Sequence, residues 1–107
     1  MQNKSLWEIF VPAHSNDGKE YPMEHHYSWD AKVRGISGGL TILKTAKGQW
    51  TSPDGKIFFD KMIPVRIFCT EEEIDKIIQL SIDHYGQEAV LAYEVSANVK
   101  FVYKNKK

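Results

Sequence analysis

Two adjacent histidines, His25 and His26, with Asp30 four positions after the second, are the side chains best spaced for chemistry. On a helix, neighbouring residues diverge by about 100°, from 3.6 residues per turn. The two rings therefore cannot readily chelate one metal ion. His26 and Asp30 stand at i,i+4 and share a face, where a carboxylate can orient an imidazole and raise its basicity. With Glu8 from a neighbouring strand, or His14 from a loop, the pair would build an acid–base or metal site. The plainer reading is a half-buried histidine bonded to a carboxylate for structure. If the chain is an enzyme, His26 and Asp30 are its expected catalytic residues.

Asp60, Lys61 and Arg66 form a second group. Arg66 interrupts an otherwise apolar row, where a guanidinium can clamp a carboxylate or phosphate. The plainer reading pairs it across strands with Glu8 or Glu94. Trp7, Trp29 and Trp50, with Tyr93 and Tyr103, could stack a planar ligand, or could simply fill core and interface. The expected ligand-binding set is Arg66, Trp50, His26, Asp30 and Glu8, for a small anionic ligand. Cys69 is the one cysteine, so neither an intrachain disulfide nor a cysteine zinc site can form. Three glutamates follow it and oppose thiolate formation, which argues against a nucleophile. Gly38-Gly39 precedes a strand rather than a helix and lacks phosphate-loop spacing. No serine-hydrolase, zinc-protease or EF-hand pattern occurs. No metal and no cofactor are expected.

The elements that must carry these residues follow from periodicity. Leu6–Val11 reads as a strand with Trp7, Ile9 and Val11 on one face. Pro22 suits the first position of a helix in which Met23, His26, Trp29, Val33 and Ile36 make one stripe. Gly35 or the Gly38-Gly39 pair ends it. Leu40–Ala46 is extended, Lys47-Gly48 suggests a bulge or kink, and Gln49–Thr51 resumes the strand. Ser52-Pro53-Asp54-Gly55 is a turn, since proline presets one dihedral and glycine permits a positive one. Ile57–Cys69 is extended, with Ile63, Val65, Ile67 and Cys69 facing inward. Pro64 cannot donate to a ladder, so a break or bulge is expected there. Thr70 with Glu73 makes a capping box. The helix behind it buries Ile74, Ile77, Ile78, Ser81, Ile82 and Tyr85 and stops at Gly86. Ala89–Val95 and Val99–Tyr103 are extended, as one bent strand or a tight pair.

This order predicts an α+β fold of the ferredoxin-like βαββαβ type, an antiparallel sheet with two helices on one face. Residues 1–107 make one domain, with 1–5 and 104–107 frayed. A chain of 107 residues buries only roughly 65% of its unfolded surface. Leu6, Phe10, Leu43, Met62 and Phe68 would line the uncovered sheet face, so a homo-oligomer, dimer or higher, is expected. The 14 basic and 14 acidic residues balance, which argues against nucleic acid. No apolar run is long enough for a signal peptide or membrane span, and the cytoplasm is the expected compartment.

Gly38-Gly39-Leu40-Thr41, Gly48-Gln49-Trp50 and Gln87-Glu88-Ala89-Val90, with Glu24-His25-His26 and Val33 upstream, give the chain a resemblance over residues 6–103. It resembles small bacterial and bacteriophage proteins for which no reaction is established. The resemblance implies a small accessory or phage-encoded protein and no catalytic residue. The expected function is a non-enzymatic, homo-oligomeric module that binds a small ligand or a protein. The alternatives are a small lyase, isomerase or hydrolase using His26 and Asp30, and a phage protein that sequesters a nucleotide signal.

Overall fold

The computed structural model describes residues 3–105. Seven elements follow in the order β1 (Lys4–Pro12), α1 (Met23–Ser37), β2 (Thr41–Ile42), β3 (Ala46–Thr51), β4 (Ile57–Thr70), α2 (Glu71–Tyr85) and β5 (Ala92–Ser96). The sheet runs β2-β4-β1-β5, with β3 also on β4, and every pairing is antiparallel. This is the ferredoxin-like arrangement expected, with its second strand broken in two.

Alternation on the central strands decides the core. Ile9 and Val11 of β1 and Val65, Ile67 and Cys69 of β4 are buried against Trp29 and Val33 of α1 and Ile74, Ile77 and Tyr85 of α2. Trp29 Nε1 donates to Ser81 Oγ at 3.0 Å, and Ser81 Oγ donates to the Ile77 carbonyl at 2.7 Å. The indole and hydroxyl thus enter the core with their polar atoms satisfied. The capping box on α2 is complete: Glu73 N donates to Thr70 Oγ1 at 3.1 Å, and Thr70 N donates to Glu73 Oε1 at 2.9 Å. Gly38 closes α1 at φ 92°, a conformation glycine reaches without a Cβ clash.

Several boundaries differ from the sequence reading. Lys4 and Ser5 are not frayed; they pair with Thr70 and Cys69. Pro22 is the N-cap of α1 rather than its first residue. The last strand is Ala92–Ser96, and Val99–Tyr103 forms no strand. Residues 1, 2, 106 and 107 of the expected frayed ends lie outside the described residues.

Pro64 sits in an unbroken β4, opposite Phe10. Phe10 N donates to the Leu91 carbonyl, on the β5 side, so Pro64 turns its backbone the other way. There its carbonyl accepts from Leu43 N at 2.9 Å, and its missing N–H falls where β2 has ended and β3 has not begun. The break that proline demands lies in the neighbouring strand. Gly48, likewise, is no bulge: it pairs in register with Asp60.

Candidate functional site

The expected site residues lie on two sides of the sheet. His26 and Asp30 lie on the helix side, in α1. Glu8, Arg66 and Trp50 stand on the face that the helices leave open.

On the helix side, the start of α1 meets the end of α2. His25 Nε2 and the His84 carbonyl are 2.9 Å apart, and His84 Nε2 and the His25 carbonyl are 2.8 Å apart. Each imidazole therefore donates to the other's backbone, and the rings stack with centroids 4.1 Å apart. Tyr21 OH donates to the Tyr85 carbonyl at 2.7 Å. His26 Nδ1 bonds the Tyr85 hydroxyl at 2.7 Å, and no hydrogen bond to Asp30 forms among the described residues. Burial lowers the His26 pKa, and the charge of Asp30 only partly opposes it. Burial raises that of Asp30. Tyr85 is pushed well above an ordinary phenol, first by burial and then by Asp30, so its hydroxyl stays protonated. His26 is thus neutral near pH 7, with Nδ1 occupied. Neither Glu8 nor His14 joins it, because Glu8 projects from the opposite face. Among the described residues no group of three His, Cys, Asp or Glu side chains could hold a metal ion.

A recess of about 670 Å³ opens beside this cluster, between α1 and the β2 edge. Trp29, Ile42, Ile63 and Val65 form its walls, and Glu20, His26, Asp30 and Lys44 its polar groups. Leu43 lines this recess rather than the open sheet face, a correction that follows from the end of β2 at Ile42.

The open face carries a polar row across four strands. Tyr93 of β5 stands opposite Glu8 of β1, Glu8 opposite Arg66 of β4, and Arg66 opposite Thr41 of β2. Arg66 Nε donates to Glu8 Oε1 at 2.8 Å, and Tyr93 OH donates to Glu8 Oε2. The Glu8 side chain is 7% exposed and that of Arg66 42%. Burial works to raise the Glu8 pKa, but the Tyr93 bond and the bond and charge of Arg66 outweigh it and hold the carboxyl below its ordinary range. Arg66 therefore has a partner within the chain, which was the plainer expectation. Cys69 faces the core, and burial pushes its thiol up to about 11.

Further along this face, where the β3–β4 hairpin leaves the sheet, lies a cleft of about 870 Å³. Trp50, Phe58 and Asp60 line it from the hairpin, and Gln87, Ala89 and Leu91 from the loop between α2 and β5. Asn16 Nδ2, from the loop after β1, contacts the Gly86 carbonyl at 3.4 Å and ties that loop to the end of α2. Trp50 of the Gly48-Gln49-Trp50 stretch and Gln87, Ala89 and Val90, which begin 37 residues later, thus line one cleft. Asp60 and Gln87 were not among the expected ligand-binding residues. The signals in the sequence are the grouping of Asp60 with Lys61 and Arg66 and the stretch Gln87-Glu88-Ala89-Val90.

No family model matches the chain, and no curated protein matches it. Solved structures do. A phage SAM lyase in complex with S-methyl-5'-thioadenosine is similar over 92% of this chain and 85% of its own, at 14% identity and a TM-score of 0.68. The periplasmic divalent cation tolerance protein CutA from Archaeoglobus fulgidus is similar over 92% and 87%, at 9% identity and 0.66. The divalent cation tolerance protein CutA1 from Thermus thermophilus is similar over 95% and 87%, at 10% identity and 0.61. At these identities the likeness is one of fold.

Proposed function

We propose that this chain is a homo-oligomeric small-ligand-binding module whose ligand, a nucleoside or nucleoside thioether, sits in the cleft at the root of the β3–β4 hairpin. The observation that carries this reading is the meeting of Trp50, Asp60 and Gln87 in one aromatic cleft on the sheet face opposite the helices. A planar base stacks on an exposed indole or phenyl ring, and a carboxylate or carboxamide can take ribose hydroxyls. The phage structure with S-methyl-5'-thioadenosine supports the ligand class, and its fold covers nearly the whole chain.

The hairpin supports the assembly. Trp50, Ile57, Phe58 and Phe59 are all exposed, Phe59 at 74%, and among the described residues β3 pairs with β4 alone. The radius of gyration is 15.4 Å, against about 13 Å for a compact chain of this length. An apolar arm of this kind is covered by a second copy, which would also wall the outer side of the cleft. The chain belongs, on this reading, with the bacterial and phage proteins that share its glycine-led hairpin, and it acts in the cytoplasm.

A second reading, a lyase acting on a sulfonium nucleoside, is favoured by the same aromatic cleft with Asp60 beside it. Aromatic faces and a carboxylate attract a sulfonium cation. As the substrate's own carboxylate attacks the carbon beside sulfur and closes a lactone C–O bond, the carbon–sulfur bond breaks, its electron pair goes to sulfur, and both the thioether and the lactone leave without the charges of the sulfonium and the carboxylate. Loss of charge is favoured where water is excluded.

Calorimetric titration with S-methyl-5'-thioadenosine tests the binding reading. Saturable binding that Trp50→Ala and Asp60→Asn each weaken supports it, and no binding at millimolar ligand overturns it. Incubation with SAM separates the two readings: release of S-methyl-5'-thioadenosine at a rate that scales with protein and falls in Asp60→Asn selects the lyase.

A further inference from the structure

We infer that the recess between α1 and the β2 edge is a second binding site, for a ligand with an apolar ring or chain and a single cationic nitrogen. It lies on the helix side of the sheet, apart from the hairpin cleft. Its volume, about 670 Å³, is that of an ordinary small-molecule pocket. Its walls are aromatic and aliphatic: Trp29 is 1% exposed and Val65 1%, and Ile42 and Ile63 continue the surface outward.

The polar groups set the sign of the ligand. Asp30 is half-buried and accepts no hydrogen bond from the described residues, and burial raises its pKa more than the nearby charges of His26 and Arg34 lower it. A carboxylate in that state gains from any donor that reaches it. Glu20 adds a second carboxylate at the lip, and among the described residues Lys44 is the one lysine or arginine lining the recess. His26 contributes no positive charge near pH 7, because burial keeps it neutral. Its Nδ1 is held by the Tyr85 hydroxyl, and its Nε2 makes no hydrogen bond with the described residues. The recess thus offers apolar walls and a net negative rim. That is the reverse of the anionic ligand the sequence suggested.

Tryptamine, tryptophol and indole-3-propionate share one ring system and differ in charge, and they separate charge recognition from apolar trapping. The measurement is the chemical-shift change of the Ile42, Ile63 and Val65 methyl groups during titration of the intact protein. The expected result is saturable shifts with tryptamine, binding about tenfold tighter than tryptophol, and weakest binding by indole-3-propionate. Asp30→Asn brings tryptamine down to the level of tryptophol and leaves tryptophol unchanged. Glu20 is exposed, so Glu20→Gln keeps the fold and carries the same test with a smaller drop. Trp50→Ala leaves tryptamine binding as in the wild type, whatever becomes of nucleoside binding. Equal affinity for the three probes, no saturable shift at millimolar tryptamine, or loss of tryptamine binding in Trp50→Ala overturns the inference.

Discussion

Arg66 reaches Glu8 through its Nε alone, at 2.8 Å from Oε1, and its Nη groups make no hydrogen bond with the described residues. Glu8 takes the other bond, to its Oε2, from Tyr93. A carboxylate in the middle of an apolar sheet face is thus held from both sides by neighbouring strands. Removing one holder leaves it buried and half-paired. Arg66→Ala should cost about 1–2 kcal/mol in urea unfolding, less than a fully buried pair because Arg66 is partly solvated. The pKa of Glu8 is lowered in the fold from 4.5. Its contribution is therefore present above that value and is lost as the pH falls through the lower folded value. The gap in stability between wild type and Arg66→Ala should narrow as the pH drops from 7 toward 3.

Two of the histidines between the helices, His26 and His84, act on acid stability in the same direction as the Glu8 pair, but over a higher pH range. His26 and His84 are both lowered from 6.5, chiefly by burial. The unfolded chain binds protons first, so their contribution is full above 6.5 and is lost as the pH falls from there to the folded values. The melting temperature should be higher at pH 7.5 than at 5.5. Tyr85→Phe removes the hydroxyl that bonds neutral His26, so the variant should melt lower and show a smaller difference between the two pH values. A variant as pH-dependent as the wild type would remove Tyr85 from this account.

The fold was legible because its signals are local. The capping box at Thr70 and Glu73, the Pro53-Asp54-Gly55 turn and the alternation of Ile63, Val65, Ile67 and Cys69 each state their own geometry. The Pro64 break could not be placed from sequence, because which side of β4 lacks a partner depends on where β2 ends. The site was read less well for a similar reason. His26 and Asp30 were rightly set on one helical face, but the hydroxyl that binds His26 belongs to Tyr85, 59 residues away. Glu8 looked like a partner for His26 until alternation on β1 placed it on the opposite face. Trp50 and Gln87 meet only because the hairpin root and the α2–β5 loop share one edge of the sheet.

The exposed hairpin gives a test of assembly that leaves the core alone. Phe59 is 74% exposed and lies far along β4 from the helices. Phe59→Asp should therefore fold with a stability close to that of the wild type, apart from any contribution of assembly. Light scattering should report an oligomer for the wild type at micromolar concentration and a monomer for the variant. A wild-type monomer there would remove the second copy from the proposed cleft.

Gly48 connects the backbone of the hairpin to the cleft. A Cβ at this position would run into the terminal methyl of Met62 and crowd Trp50 Nε1. The Met62 side chain can swing aside, so Gly48→Ala should lower stability by no more than about 1–3 kcal/mol, the usual cost of one added methyl in a packed place. The effect on the ligand should be larger. Met62 and Trp50 both line the cleft, and moving either one changes the surface on which a base would stack. Binding of S-methyl-5'-thioadenosine should fall about tenfold or more, and Met62→Ala in the same chain should recover part of it by giving the methyl group room. Gly48→Ala with wild-type affinity would show that the ligand does not rest on Trp50, and the cleft would then lose its claim to the site.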